Sequence, residues 1–346
     1  MIQNKNVLLN RLRGSVVAGA AGDALGFEVE FMKLDAIQRA FGPEGIREYV
    51  LHTGAHGQHA ALFSDDTQMT LFTAEGLVEA EKHNRNFCAE ICKAYINWYA
   101  TQRGIKSKNS ALAEVPEMNE QRAPGHTCLS ALQSIINGRD PENNSKGCGG
   151  VMRIAPIALF GAIRPDWSAE RVAKLAAEAS ELTHLHPLGY IPAALLAYVI
   201  YNLVKDEALS ALNMKRYIAE GLDAIALLFA ADFRYLQINS DLMNKAVELS
   251  ENNLPDADNI ARLGEGWVAE EAVAIAFYCA MRHFNSIEDA ICAASNHDGD
   301  SDSTAAICGN ILGAALGYDA IPEKFTDSLE LLPLLLSTAD SLMPDE

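Results

Sequence analysis

The stretch that most constrains this chain runs from His297 to Gly317, HDGDSDSTAAICGNILGAALG. From Ala305 to Leu316 the only polar side chain is Asn310. A helix that is apolar on every face must be covered on every face, so this one belongs in the middle of a helical bundle. Ala305, Gly309 and Gly313 recur every fourth position and form a ridge without bulk, against which a second helix can come close. The start of this helix carries Asp298, Asp300, Asp302 and Ser303. A helix N-terminus offers about half a positive charge, which suits one acidic cap but not three. Carboxylates so close to a buried helix call for a compensating cation, and a hard metal ion is the simplest one.

Acidic residues outnumber basic ones by 46 to 27 among 346 residues, a net charge of -19. That balance argues against a nucleic-acid or anionic-membrane partner, because both require a basic footprint. Seven cysteines without a CxxC pair read as reduced core residues of a cytoplasmic protein. The polar opening MIQNKNVLLNRLRG has no apolar core of a secretory signal. The longest uncharged run, 186–204, contains Pro187, Gly189, Pro192 and Asn202, and reads as a turn and a buried helix rather than a membrane span.

Taken in order, 8–25 reads as a buried helix rich in Ala and Gly that runs into GDALGFEVEF, with Asp23 open to a plain capping role and Glu28 and Glu30 in a following loop. A short helix is expected over 31–42, closed by Gly42 and Pro43. His52, His56 and His59 suggest zinc, but Gly54 and Gly57 deny them helical spacing, so a glycine-rich loop beside a site is the preferred reading. Ser64, Asp65 and Asp66 open a second strong helix, 67–82, with Asp65 and Gln68 spaced as a capping box. Two helix starts that each present Ser and Asp residues form an oxygen-only donor set, the kind preferred by Mg²⁺ or Mn²⁺.

Further helices are expected over 86–101, 127–137, 168–182 and at least three times within 190–286, with a polar loop over 103–126. Gly147, Gly149 and Gly150 let backbone amides approach a ligand, or else mark a plain turn. No sustained strand alternation, repeat or low-complexity linker is visible. The pattern predicts one all-α domain over residues 1–346, an orthogonal multi-helix bundle with loops returning to one face and a polar N-terminal extension over 1–7.

Together, GDALGFEVEF, FSDDTQM, KGCGGVMRIAP, THLHPLGY and GDSDSTAA resemble the ordered motifs of the ADP-ribosylglycohydrolase family, spread from residue 22 to 306. The resemblance implies a metal-dependent hydrolase with a binuclear Mg²⁺ or Mn²⁺ centre that removes mono-ADP-ribose from protein side chains, arginine first. It implies Ser64, Asp65, Asp66, Asp300, Asp302 and Ser303 as metal ligands, with Glu30, Asp65, Asp66 and Asp302 in catalysis. Ser145, Gly147, Cys148, Gly149 and Gly150 would line the diphosphate, and His184 would lie by the distal ribose. Ser64 and Ser303 stand where the family pattern often has Thr, and Cys148 where it often has Asn. The expected partners are an ADP-ribosylated protein, ADP-ribose itself and a cognate ADP-ribosyltransferase toxin. Two rival readings remain. One is an HD-type metal phosphohydrolase built on His297, Asp298 and the histidines at 52, 56 and 59. The other is an immunity protein that blocks a transferase by contact.

Overall fold

The computed structural model describes residues 4–54, 57, 59–107 and 110–344. Among them the helices are α1 Lys5–Phe27, α2 Leu34–Phe41, α3 Asp65–Lys82, α4 Phe87–Gln102, α5 His126–Ile136, α6 Ala155–Ala162, α7 Ala169–Glu181 and α8 Pro187–Lys205. They continue as α9 Ala211–Leu228, α10 Phe233–Leu249, α11 Asp256–Ile260, α12 Ala269–Arg282, α13 Ile287–Ser295, α14 Ser301–Leu316 and α15 Leu332–Ser341. The chain is all-α, and its two short strands, β1 His52–Thr53 and β2 His59–Ala60, pair antiparallel.

The bundle is built on the contact between α1 and α14. A Cβ at Gly309 would lie 2.0 Å from the carbonyl oxygen of Ala18, and one at Gly22 would lie 2.2 Å from that of Ala305. Only glycine permits this approach, in which one backbone meets the other. Asn310 is absorbed rather than exposed: its Nδ2 donates to Ser15 O at 2.8 Å, and Ser15 Oγ donates to Asn310 O at 2.8 Å. Gly14 abuts Gly313 and Gly26 abuts Ser301, so the two helices run antiparallel. The end of α1, with the acidic loop after it, is thereby delivered to the acidic start of α14.

Several expectations need revision. The first helix starts at Lys5, capped by Asn4, so the expected extension over 1–7 is helical from Lys5 onward and its first three residues lie outside the described ones. The loop 103–126 contains two single helical turns, Leu112–Glu114 and Pro116–Asn119, and α15 was not foreseen. No Asp65/Gln68 capping box forms. Ser64 caps α3 by accepting from Asp66 N at 3.1 Å, while Gln68 Nε2 turns inward to the carbonyl of Glu120. Of the described helices, α8 is long and apolar enough to cross a membrane, yet 83% of that window is buried inside the protein, as a core helix requires.

Candidate active site

Three segments meet where α1 ends and where α3 and α14 begin. Asp23, fully buried on α1, caps α3 across the chain. Its Oδ1 accepts from Ser64 N at 2.9 Å, and its Oδ2 accepts from Thr67 N at 2.9 Å and from Thr67 Oγ1 at 2.5 Å. These bonds use both of its oxygens and fix α3 so that Asp65 and Asp66 face the start of α14. Asp65 Oδ2 accepts from Gly125 N at 3.2 Å, whereas Asp66 Oδ2 is buried without a partner. Asp300 caps α14 and accepts from Ser303 N at 3.3 Å, while Asp302 Oδ1 accepts from the same N–H at 2.9 Å.

Glu30 sits half-buried in the turn after α1, and an oxygen from each of Glu30, Asp300 and Asp302 lies within 4.8 Å of the other two. Asp65 and Asp66 join this group through charge rather than through that short-range cluster. Burial first and the Asp302 charge second push Asp23 up to about 7 and Glu30 up to about 10. Burial likewise lifts Asp65, Asp66 and Asp300 well above the usual carboxylate range, and lifts Asp302 as well. Such crowding of carboxylates is relieved by cations. An all-oxygen donor set with an orphaned carboxylate oxygen fits hard divalent ions.

The upward shifts carry a pH prediction. A carboxyl that holds its proton more tightly in the folded state stabilises the fold at low pH, and that stability is lost as pH rises from the unfolded toward the folded pKa. For Glu30 the window runs from the ordinary carboxylate range to about 10, and for Asp23 to about 7. The metal-free protein is expected to melt at a lower temperature at about pH 9 than at about pH 7.5, an interval above the titration of free histidines and inside the Glu30 window. Added Mg²⁺ or Mn²⁺ should shrink that difference. A calorimetric scan with a flat metal-free profile over this interval would contradict the crowding described above.

The glycine loop is fixed from behind. Cys148 N donates to Trp267 O at 3.2 Å, and Gly147 to Gly150 rest on His184, whose Nε2 lies 3.4 Å from the Cβ position of Gly147. His184 is buried and stays neutral, its pKa held down to about 3 by burial and then by the charge of Arg153. Ser145 Oγ lies 3.2 Å from Thr127 Oγ1 at the edge of this loop. The Cys148 thiol donates to Asp300 Oδ2 at 2.8 Å, so it links the loop to a carboxylate of the acidic cluster.

Two features escaped the sequence reading. Phe31, 71% exposed and left-handed at φ 66°, stacks on Trp267 with ring centroids 5.1 Å apart. Lys33 pairs with Glu265 at 3.0 Å and Asp298 at 3.3 Å, so the turn that carries Glu30 is clasped to the loop before α12. An outlying aromatic conformation next to an acidic loop would have been a signal in φ, but not in sequence. The rival constellations fare otherwise. His52 Nε2 pairs with Glu28 at 2.7 Å, His59 lies on β2, and His56 lies outside the described residues. His297 is buried against Thr304 Oγ1 at 2.9 Å while Asp298 faces solvent and Lys33, so the His-Asp dipeptide makes no joint site.

The family model for ADP-ribosylglycohydrolase matches residues 4–346. Among similar proteins, ADP-ribosylhydrolase ARH3 of Homo sapiens is 26% identical, covering 93% of this chain and 90% of the relative. ADP-ribosylarginine hydrolase Tri1 of Serratia proteamaculans is 23% identical, covering 96% of this chain and 79% of its own. A solved structure, an ADP-ribosylglycohydrolase-related protein complex, superposes with a TM-score of 0.65 at 22% identity over 98% of each chain and shares the fold.

Proposed function

The chain belongs to the ADP-ribosylglycohydrolase family, and from that premise we propose that it hydrolyses the bond between ADP-ribose and an arginine side chain of a modified protein. The observation that carries this reading is the convergence of Glu30, Asp300 and Asp302, whose oxygens lie within 4.8 Å of one another and whose aspartates act by charge on Asp66, which has an orphaned oxygen. Two Mg²⁺ or Mn²⁺ ions held by Ser64, Asp65, Asp66, Asp300, Asp302 and Ser303 would supply Lewis-acid stabilisation of charge on the ribose hydroxyls and the water. Glu30, on its turn at the mouth, orients that water or the leaving nitrogen. Water adds across the bond, its hydroxyl going to the anomeric carbon and its proton to the guanidine nitrogen. The loop Ser145 to Gly150 binds the diphosphate, with His184 behind it.

Arginine is preferred over serine on electrostatic grounds and on the Serratia relative's name. A guanidinium-bearing target is drawn to a chain of net charge -19, whereas a serine linkage offers no such attraction. The test is incubation with ADP-ribosyl-arginine and ADP-ribosyl-serine peptides, each with Mg²⁺ or Mn²⁺ and with chelator. The expected result is metal-dependent release of ADP-ribose from the arginine peptide. Release from the serine peptide alone would refute the linkage.

A further inference from the structure

Beneath the glycine loop lies a cation that no acid answers. Arg153 has no exposed surface, and its Nη1 donates to Met69 Sδ at 3.3 Å and Cys128 Sγ at 3.4 Å. Its Nη2 donates to Ala179 O at 3.3 Å and Thr183 Oγ1 at 2.7 Å, and its guanidinium stands 4.2 Å from the centre of the Tyr95 ring. Its Nε is buried without a partner. Every one of these partners is neutral, because burial pushes the Cys128 thiol and the Tyr95 phenol up. Among the described residues no carboxylate lies within ion-pair distance of it. Guanidinium groups keep their proton in protein interiors, and an unpaired buried charge costs stability that an apolar side chain of the same shape would not.

One layer of side chains separates this charge from the loop. Cys128 Sγ lies 3.0 Å from the Cβ position of Gly149, and Thr183 Oγ1 lies 2.9 Å from His184 Nδ1. Arg153 donates to the Thr183 oxygen at 2.7 Å, and that hydroxyl also meets Ser180 O at 3.4 Å and His184 Nδ1 at 2.9 Å, so the threonine links the guanidinium to the imidazole behind the loop. We infer that Arg153 is the charge by which the Ser145 to Gly150 loop attracts the diphosphate of ADP-ribose, acting through its field and through Thr183 and His184 rather than by contact. This rests on the reading that the loop holds the diphosphate. Arg153 is therefore a positioning residue, and water cannot screen it because it is buried.

The test compares Arg153→Met with the wild type, both with Mg²⁺ present, using calorimetric titration with ADP-ribose and with adenosine, alongside melting temperatures. The expected outcome is a loss of ADP-ribose affinity of about tenfold to a hundredfold, the scale of a desolvated charge removed from a binding site. Adenosine affinity should stay within about twofold and the melting temperature should be equal or higher, as the cost of an unpaired buried charge implies. A merely structural arginine would give the opposite, a lower melting temperature with ADP-ribose affinity intact, and that result would overturn the inference. Should Arg153→Met not be recovered folded, Arg153→Gln removes the charge while keeping hydrogen bonds and is held to the same comparison. Arg153→Lys should recover part of the lost ADP-ribose affinity. A wild type that binds no ADP-ribose would overturn the loop reading and this inference together. A wild type that binds it as tightly as both neutral variants would overturn the inference alone.

Discussion

Replacing Asp302 with alanine is expected to lower turnover by about 10²–10⁴-fold, the several kcal/mol that metal-assisted charge stabilisation supplies. The same change should leave the metal-free fold intact or strengthen it. The Asp302 charge raises the pKa of Asp23, Glu30, Asp65, Asp66 and Asp300, so its removal relieves four buried neighbours and the half-buried Glu30 at once. Against that stand the hydrogen bonds Asp302 makes with Ser303 N at 2.9 Å, with Ser64 and with Asp300, each worth about 1 kcal/mol, although Ser303 N keeps Asp300 Oδ1 as an acceptor. The melting temperature without metal is therefore expected to stay equal or rise, by roughly 1 °C per kcal/mol for a chain of this length. With Mg²⁺ or Mn²⁺ the order should reverse, because the wild type gains ligand-linked stability that the variant cannot. Melting curves with and without metal, read beside the hydrolysis rate, test both halves. Near-normal hydrolysis by the variant would remove Asp302 from the metal set.

That prediction rests on residues whose placement was legible in the sequence. Ser and Asp residues immediately before apolar runs mark the starts of α3 and α14, and a run with one polar side chain in twelve positions marks a central helix. The ridge at 305, 309 and 313 identified the face that meets α1. What was not legible depends on contacts distant in sequence. Asp23 caps a helix whose N-cap residue, Ser64, lies 41 residues later, and nothing local to Asp23 distinguishes that from a cap of its own segment. Nothing in VMRIAP signals the full burial of Arg153, because an arginine is rarely buried without a partner. Gln68 has the spacing of a capping box, but it is claimed by Trp98 and Gln102 on α4, since a buried amide seeks the partners its tertiary setting provides. Cys148 reads as part of a phosphate loop, whereas its thiol is taken by Asp300 on the far side. Local pattern thus located the acids, and tertiary packing decided which helix start each of them caps.

Glu30 separates a catalyst from a blocking partner. A protein that neutralised a transferase only by contact would gain nothing from six buried or half-buried acids gathered at two helix starts and a turn, because uncompensated carboxylates are costly. The acids fit chemistry, and Glu30 is the one among them carried by a turn rather than by a helix. Its turn is nonetheless held, by the stack of Phe31 on Trp267 and by Lys33 on Glu265 and Asp298, so the carboxyl is kept within 4.8 Å of Asp300 and Asp302. Glu30→Ala is expected to slow release of ADP-ribose from a pre-modified arginine target by about 10²–10⁴-fold, the range of a positioned acid or base. The fall should appear in kcat, with KM changed little, because the group acts on the reacting atoms and not on the diphosphate. The assay uses target protein purified away from the transferase, so blocking cannot mimic hydrolysis. If the wild type releases nothing from that target with Mg²⁺ or Mn²⁺ present, yet halts fresh modification at a one-to-one dose, the chain acts by contact and the acidic cluster serves another end.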